Sequence, residues 1–145
     1  MSMTPKEVAE QVRKMVAGEG VVFADLFAPD GVLTYPFAGP GQPPELRGQA
    51  AIRAYFAGHA QSRELFTQAG VDAVTWQTDD PEVVITQITH HGTSNITGSP
   101  YQLTALGIIR VRDGMIVRYE DYMDSVALAR LLGRTDDLAA ALSSP

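Results

Sequence analysis

The sequence contains no cysteine, few lysines and no long apolar run, and each absence excludes a class of function. Without cysteine there can be no disulfide, thiolate catalysis or zinc ribbon. Lysine occurs only at Lys6 and Lys14, and the net charge is -6, so the chain lacks the basic patch that nucleic acids and anionic membranes require. No stretch is long enough to span a bilayer, and MSMTPKEVAE has no apolar core of signal-peptide type. The expected location is therefore the cytoplasm.

The residues that are present are sufficient for one ordinary globular domain. The chain has 145 residues, of which 45% are hydrophobic and 19% charged. The segment TPKEVAEQVRKMVAG predicts a first helix. Thr4 suits its cap, Pro5 its first turn, and Glu7 stands at capping-box spacing from Thr4.

The next segments predict a helix, a strand and another helix. VVFADLFA has the pattern of a short second helix that Pro29 ends, and GVLTYPF follows as a strand. Alternation places Leu33, Tyr35 and Phe37 on one face of that strand. After a loop rich in glycine and proline, QAAIRAYFAGHAQSRELF predicts a third helix. One side of this helix carries Ile52, Tyr55, Phe56 and His59.

Period-two alternation dominates the second half of the chain and predicts four strands. They cover roughly residues 70–77, 82–95, 101–112 and 115–123. Asp113-Gly114, between two alternating apolar segments, predicts a tight hairpin. Asp124 or Ser125 is expected to cap a last short helix, VALARLLG, which Gly133 ends.

This order of elements predicts an α+β fold, with helices grouped on one side of a mostly antiparallel, curved sheet. We expect a single domain over residues 1–133 and a C-terminal tail over residues 134–145 with at most one helical turn. A curved sheet and a long helix can leave a cavity between them.

The last predicted strand, VRYEDYMD, carries a carboxylate where strands rarely have one. Alternation places Val117, Tyr119, Asp121 and Met123 on the more apolar face, so Asp121 is expected to point inward. Burial raises the pKa of a carboxyl group and makes it a useful proton donor or acceptor near neutral pH. The structural alternative is an ion pair between Asp121 and an arginine.

Histidines offer a partner for this carboxylate. In TQITHHG, His90 shares a face with Ile88, and if that face is inward His90 would enter the same cavity as Asp121. His59, at the end of the third helix, is a second candidate. The three histidines lack metal-ligand spacing, and no metal or other cofactor is expected.

Three segments resemble the nuclear transport factor 2-like superfamily, and more narrowly its SnoaL-like branch. They are FADLFAPDGVLTYPFAG, LRGQAAIRAYF and YQLTALGIIRVRDGMIVRYEDYMDSVALARLL, in family order and covering most of the chain. The resemblance implies a cone, in which a curved sheet wraps around helices and encloses a deep, largely apolar pocket. It also implies a homodimer formed through the outer face of the sheet.

Only some catalytic residues of the related enzymes have a matching residue in this sequence. The ketosteroid isomerase general base falls on Tyr35, which cannot act as that base at neutral pH, so the steroid isomerase mechanism is not supported. In limonene-type epoxide hydrolases the last-strand aspartate matches Asp121, but their arginine falls on Ile88 and their second aspartate on His90. Phenazine-biosynthesis proteins and SnoaL-type cyclases also place an acid at Asp121, and the phenazine helix histidine falls near Tyr55.

We therefore expect a cofactor-independent enzyme that cyclises or isomerises a hydrophobic small molecule, with Asp121 as acid/base, His90 as its proton partner and Tyr35 as a further catalytic residue. The alternatives are a non-catalytic small-molecule-binding module and an epoxide hydrolase with an altered site. The residues expected to contact the ligand are Phe37, Tyr55, His59, Trp76, Ile88, Tyr119 and Met123.

Overall fold

The computed structural model describes residues 2–39 and 41–143, and it has one mixed sheet with helices against it. The strands are β1 (Phe27–Thr34), β2 (Glu45–Arg47), β3 (Phe66–Gln77), β4 (Val83–Ser94), β5 (Pro100–Arg112) and β6 (Met115–Met123). The helices are α1 (Pro5–Val16), α2 (Gln49–Ala57), α3 (Ser125–Leu131) and α4 (Thr135–Ser143). The six strands lie in the order β2-β1-β6-β5-β4-β3, and β1 pairs with β6 in parallel while all other pairs are antiparallel. The predicted α+β class is confirmed.

The first helix forms as predicted. The Thr4 hydroxyl accepts a hydrogen bond from the Glu7 backbone N–H, and the Glu7 carboxylate accepts one from the Thr4 N–H. Its buried residues Val8, Ala9 and Val12 pack against β3, β4 and β5 and join the main core. We call the face of the sheet that α1 covers the inner face.

Two predicted helices are shorter than the sequence indicated. The expected second helix is only a 3-10 turn, Phe23–Leu26, and β1 begins directly after it at Phe27. Pro29 has no N–H for a helix and restrains Ala28 to extended geometry, while Phe27 pairs with Ile116 of β6. The third helix ends at Ala57, before Gly58, and the remainder is a 3-10 segment, Ala60–Leu65.

Three further elements differ from expectation. β2 lies in a segment predicted as loop, and β3 begins at Phe66 instead of near residue 70. The expected tail contains the nine-residue helix α4. Pairing with β1 and β4 stabilises β2 and β3, and packing against α3 stabilises α4, and the local pattern alone contains neither interaction. None of the helices in the described ranges is long and apolar enough to cross a membrane.

The hairpin between β5 and β6 is confirmed, and an irregularity beside it corrects one face assignment. Asp113 and Gly114 have φ values of 53° and 79°, the left-handed pair that a tight two-residue turn needs. The register then shifts, because Arg110 pairs with Arg118 but Val111 pairs with Ile116. Ile116 is therefore fully buried, although strict alternation from the inward set Val117, Tyr119 and Asp121 predicts an outward direction for it.

Candidate active site

Asp121 points toward the inner face of the sheet, as the alternation of β6 predicted beyond the bulge. Its register partner on β5 is Gly107, and the partner of Gly107 on β4 is Thr86. Thr86 is 1% exposed. Tyr35, just after β1, is 5% exposed and lies close enough for the charge of Asp121 to act on it. These four residues form a row across the inner face.

The side chain of Asp121 is half-buried, and its Oδ1 atom is buried without a hydrogen-bond partner. Among buried side-chain polar atoms in the described ranges, only Asp121 Oδ1 and Thr34 Oγ1 have no hydrogen-bond partner. Burial raises the pKa of Asp121 from its ordinary value of 3.8 to about 7. No salt bridge to Asp121 occurs within residues 2–39 and 41–143, so the structural ion-pair alternative is not what the fold contains. The group can lose or keep its proton near neutral pH.

Two phenols accompany this carboxyl group. Burial raises the pKa of Tyr119 well above its usual range, and the charge of Asp121 and the nearby Tyr35 raise it further. Burial also raises the pKa of Tyr35, and the charges of Asp121 and Tyr55 raise this pKa further. Both phenols therefore stay protonated at neutral pH and can donate a hydrogen bond to an oxygen in this space.

Gly107 is what allows the Tyr119 ring to lie across β5. A Cβ atom at Gly107 would stand 2.7 Å from the Tyr119 hydroxyl oxygen and 2.9 Å from its Cζ. On its other side the Tyr119 ring meets Phe23 edge-on, with 5.3 Å between ring centroids. Neither Gly107 nor Phe23 is among the predicted site residues, although an isolated glycine within a strand is a signal of close approach.

The aromatic wall around the site comes from the 3-10 turn and β1. The Phe23 ring also meets Phe27 at 5.0 Å and Phe56 at 5.3 Å, both edge-on. Because the expected helix is a turn followed by a strand, Phe23 and Phe27 both enter the core. The site is therefore a carboxyl group and two phenols against an apolar, aromatic background.

His90 lies on the inner face but away from Asp121. His90 pairs with Leu103 on β5. Asp121 pairs with Gly107 on β5, and Gly107 pairs with Thr86 on β4, which lies four residues before His90. Its Nδ1 lies 3.0 Å from the Tyr101 hydroxyl, and its ring packs 5.3 Å from that of Phe66. Burial lowers the pKa of His90, with smaller contributions from Arg63 and His91. The expected pairing of His90 with Asp121 is not formed.

The remaining predicted contact residues divide between two faces. Ile88 is buried in the main core and Met123 packs against Tyr101 and its neighbours, so both lie inside. Phe37 is 70% exposed and packs on Tyr122, and Trp76 is 47% exposed on the outer face. Those two side chains do not line the interior. Phe37 lies beyond the end of β1, and Trp76 is at a position of β3 whose side chains point to the outer face.

Tyr55 and His59 lie together at the end of α2. Their rings are 4.4 Å apart, and His59 Nδ1 lies 2.7 Å from the Tyr55 carbonyl oxygen. His59 is exposed, whereas Tyr55 forms one wall of a cleft of about 430 Å³. We call this the α4 cleft. Its other walls include Gln42, Ser125, Leu128, Leu138 and Ala141.

No metal centre is indicated by this arrangement. In the part of the chain that the structure describes, no three histidine, aspartate or glutamate side chains are grouped as metal ligands. The chemistry of the site is that of one carboxyl group and two phenolic donors.

The mixed six-stranded sheet with helices against its inner face places the chain among proteins with cystatin-like and NTF2-like folds, to which solved structures from Xanthomonas campestris and Anabaena variabilis also belong. The family model for the SnoaL-like domain matches residues 8–119. The chain belongs to the SnoaL-like family.

Individual relatives agree with this assignment. The chain is 29% identical over 141 residues to an uncharacterized PhzA/B-like protein of Pseudomonas aeruginosa, with 94% of this chain and 96% of the relative covered. A solved structure of a candidate isomerase from Bacillus subtilis matches with a TM-score of 0.75 and 25% identity, over 92% of this chain and 98% of that one. A candidate polyketide cyclase from Pseudomonas putida shares the fold, with a TM-score of 0.65 and 19% identity over 90% and 98% of the two chains.

Proposed function

We propose that the protein is a cofactor-independent enzyme that isomerises or cyclises an uncharged, carbonyl-bearing hydrophobic molecule, with Asp121 as the acid/base. One observation carries the proposal. The Asp121 carboxyl group has one oxygen, Oδ1, buried without a partner, its pKa is raised to about 7, and it stands beside two protonated phenols. A structural carboxylate would be paired, whereas an unpaired one near neutral pKa is suited to proton transfer.

The steps follow from these groups. The Asp121 carboxylate takes a proton from a carbon next to a carbonyl, and the C–H electron pair moves to the carbonyl oxygen as an enolate. Tyr35 or Tyr119 donates a hydrogen bond to that oxygen, which is effective because the surroundings exclude water. In isomerisation, Asp121 returns the proton to a second carbon of the conjugated system. In cyclisation, the enolate carbon attacks a second carbonyl, and Asp121 gives its proton to the new alkoxide.

His90 is not needed in this scheme. Its ring contacts Tyr101 and Phe66, and its place on β4 separates it from Asp121. The epoxide hydrolase alternative lacks that family's arginine and second aspartate, because Ile88 and His90 stand at those positions and Ile88 is packed in the main core. The non-catalytic alternative uses Asp121 as a polar anchor for a ligand, and only a turnover experiment separates it from the enzyme.

The test is deuterium exchange next to a carbonyl. We expect the protein to catalyse α-proton exchange in D₂O for some members of a panel of neutral aromatic ketones and β-diketones, followed by proton NMR. Asp121→Asn should abolish this exchange, and His90→Gln, as a matched control on the same face, should retain it. Loss in both variants would return His90 to the mechanism, and undiminished exchange in Asp121→Asn would refute the proposal.

We also propose that the protein forms a homodimer through the outer face of β3, β4 and β5. Val74 and Trp76 are 51% and 47% exposed there, and Ile85 and Ile108 continue the row from Trp76. Large exposed apolar side chains grouped on one sheet face are typical of an interface. The family resemblance supports the same face.

A further inference from the structure

The α4 cleft contains three polar side chains from three different parts of the fold. Gln42 comes from the loop after β1, Tyr55 from α2 and Ser125 from the start of α3. Within the described ranges, neither hydroxyl group is hydrogen-bonded to the protein. Of the Gln42 amide only Oε1 has a partner, the Gly39 N–H at 3.2 Å. Polar groups that converge in a concave site with their hydrogen-bonding capacity unused are typical of ligand recognition.

The rest of the lining is apolar or neutral in charge. Leu128, Leu132 and Leu138 form its largest apolar part. Among the described residues of the lining, Arg134 and Asp137 are charged, and Arg134 Nε donates a hydrogen bond to Asp137 Oδ2 at 2.9 Å. A charged ligand group would lose water beside the leucines without finding a free counter-charge. The volume of about 430 Å³ is within the range of small-molecule sites.

The cleft is separate from the Asp121 site. None of the described residues that line it belongs to the row of Asp121, Gly107, Thr86 and Tyr35 on the inner face. The two helices that form much of the cleft, α3 and α4, begin after residue 119, where the match to the family model ends. A ligand in the cleft therefore occupies a different place from a substrate of Asp121.

The loop after β1, over residues 36–39 and 41–44, connects the two places. Gly39 and Gln42 of this loop line the cleft, and the loop begins directly after Tyr35. The Tyr35 N–H donates a hydrogen bond to the Pro44 carbonyl oxygen at 2.8 Å, so the loop closes at this residue. A Cβ atom at Gly39 would lie 3.8 Å from Ser125 Oγ, so the loop backbone packs against the start of α3. A ligand between the loop and α3 is expected to shift the loop, and Tyr35 with it.

We propose that the α4 cleft is a second binding site for an uncharged ring compound with hydroxyl or ether oxygens, and that its occupancy acts on Tyr35 through the loop after β1. The Gln42 Nε2 group donates to a ligand oxygen, and the Tyr55 and Ser125 hydroxyls donate or accept. The leucines contact the ring carbons. The inference goes beyond the proposed function and does not depend on it, because binding in the cleft needs no chemistry at Asp121.

The probe is methylumbelliferyl glucoside, an uncharged aromatic ring system that carries sugar hydroxyls. We expect saturable shifts of the Gln42 and Ser125 amide signals in NMR titrations. Ala141→Phe, which fills the cleft, should weaken binding at least tenfold. Leu142→Phe, at the neighbouring position that is 72% exposed, should leave the affinity within twofold. The absence of saturable binding, or equal affinity of the two variants, would overturn the assignment of the cleft.

Two conservative variants test the polar groups. Tyr55→Phe keeps the ring that contacts His59, and Ser125→Ala keeps the helix cap at Asp124, so both should fold. Each should weaken binding several-fold. Tyr122→Phe, which removes a hydroxyl from the outer face, is the matched control and should leave the affinity within twofold. Equal affinities in all three variants would refute the role of the hydroxyls.

A matched probe tests the charge. Methylumbelliferyl glucuronide differs from the glucoside by a carboxylate on the sugar ring, and it should bind at least tenfold more weakly. Equal or tighter binding of the glucuronide would refute the preference for uncharged ligands.

Two further measurements test the separation from Asp121 and the link to Tyr35. Asp121→Asn should bind the glucoside within twofold of the unmodified protein, and lost binding would place the probe at the inner site and overturn the proposal. The tyrosine ring-carbon signal of Tyr35, assigned with Tyr35→Phe, should shift with the same midpoint as the Gln42 amide signal. A Tyr35 signal that does not move would refute the link. None of these measurements uses turnover, so the proposed enzyme and the second site can each fail alone.

Discussion

At the scale of the residue, Asp121 couples the protonation of the site to the stability of the fold. The folded protein holds the Asp121 proton up to about pH 7, whereas an unfolded chain releases it near the ordinary pKa of 3.8. The folded state therefore binds more protons between these values, and stability falls as the pH rises through this window. Above pH 7 the fold contains a buried, unpaired charge.

We expect Asp121→Asn to remove this dependence. Relative to the variant, the unmodified protein should lose about 3 kcal/mol of unfolding free energy between pH 5 and pH 8, since each pKa unit corresponds to ~1.4 kcal/mol. Urea unfolding at both pH values measures it. His90, whose lowered pKa acts in the opposite direction, is present in both proteins and cancels in the comparison. A constant difference across the window would mean that Asp121 is solvated.

Gly107 is expected to hold the Tyr119 phenol in place beside the Asp121 carboxyl group. In Gly107→Ala the new Cβ atom would stand 2.7 Å from the Tyr119 hydroxyl oxygen, and Phe23 leaves that ring little room to move. We predict a loss of ~1–3 kcal/mol in stability, typical of overpacking, together with a lower Asp121 pKa as water enters. Carboxyl-carbon NMR distinguishes this from a purely structural effect, because an unchanged Asp121 pKa would contradict the positioning role.

At the scale of the element, one buried hydroxyl fastens α3 to the sheet. Ser94, 2% exposed at the end of β4, donates to the Leu131 carbonyl oxygen at 2.6 Å and accepts from the Ile96 and Thr97 N–H groups at 3.2 and 3.1 Å. It thereby satisfies a carbonyl near the end of α3 and closes the turn before β5. Since α3 forms a wall of the α4 cleft, this anchor also fixes the shape of the cleft.

We predict that Ser94→Ala destabilises the protein by ~2–3 kcal/mol, because it leaves buried backbone groups without partners. Thr97→Ala is the matched control. It removes one exposed hydrogen bond, from the Ser99 N–H to the Thr97 hydroxyl, and should cost less than ~1 kcal/mol. Thermal unfolding of the two variants measures the difference. Equal losses would mean that the turn, and not the link to α3, carries the effect.

At the scale of the whole molecule, the proposed dimer places the single tryptophan at the interface. Trp76 is half exposed in the isolated chain and would become buried against a second copy. We expect sedimentation to give a dimer at micromolar concentration and the Trp76 emission to shift to longer wavelength on dilution. Trp76→Glu should give a folded monomer, and a monomer already in the unmodified protein would refute the interface.

The sequence by itself determined the α+β class, the capping of α1, the β5–β6 hairpin and the inward direction of Asp121. These features depend on local chemistry, namely side-chain oxygens near helix N–H groups, left-handed turn residues and period-two alternation. Even Asp121 was placed correctly because the bulge near Val117 lies before it, and alternation holds from Tyr119 onward.

Only the tertiary structure decided which residues surround Asp121. His90 and Thr86 have the same parity on β4, and only the register with β5 determines that Thr86, and not His90, lies in the row of Asp121. Register depends on contacts between segments far apart in the chain, which no local pattern contains. The same holds for the aromatic wall from Phe23, because the parallel pairing of β1 with the distant strand β6 fixes the chain directly after it.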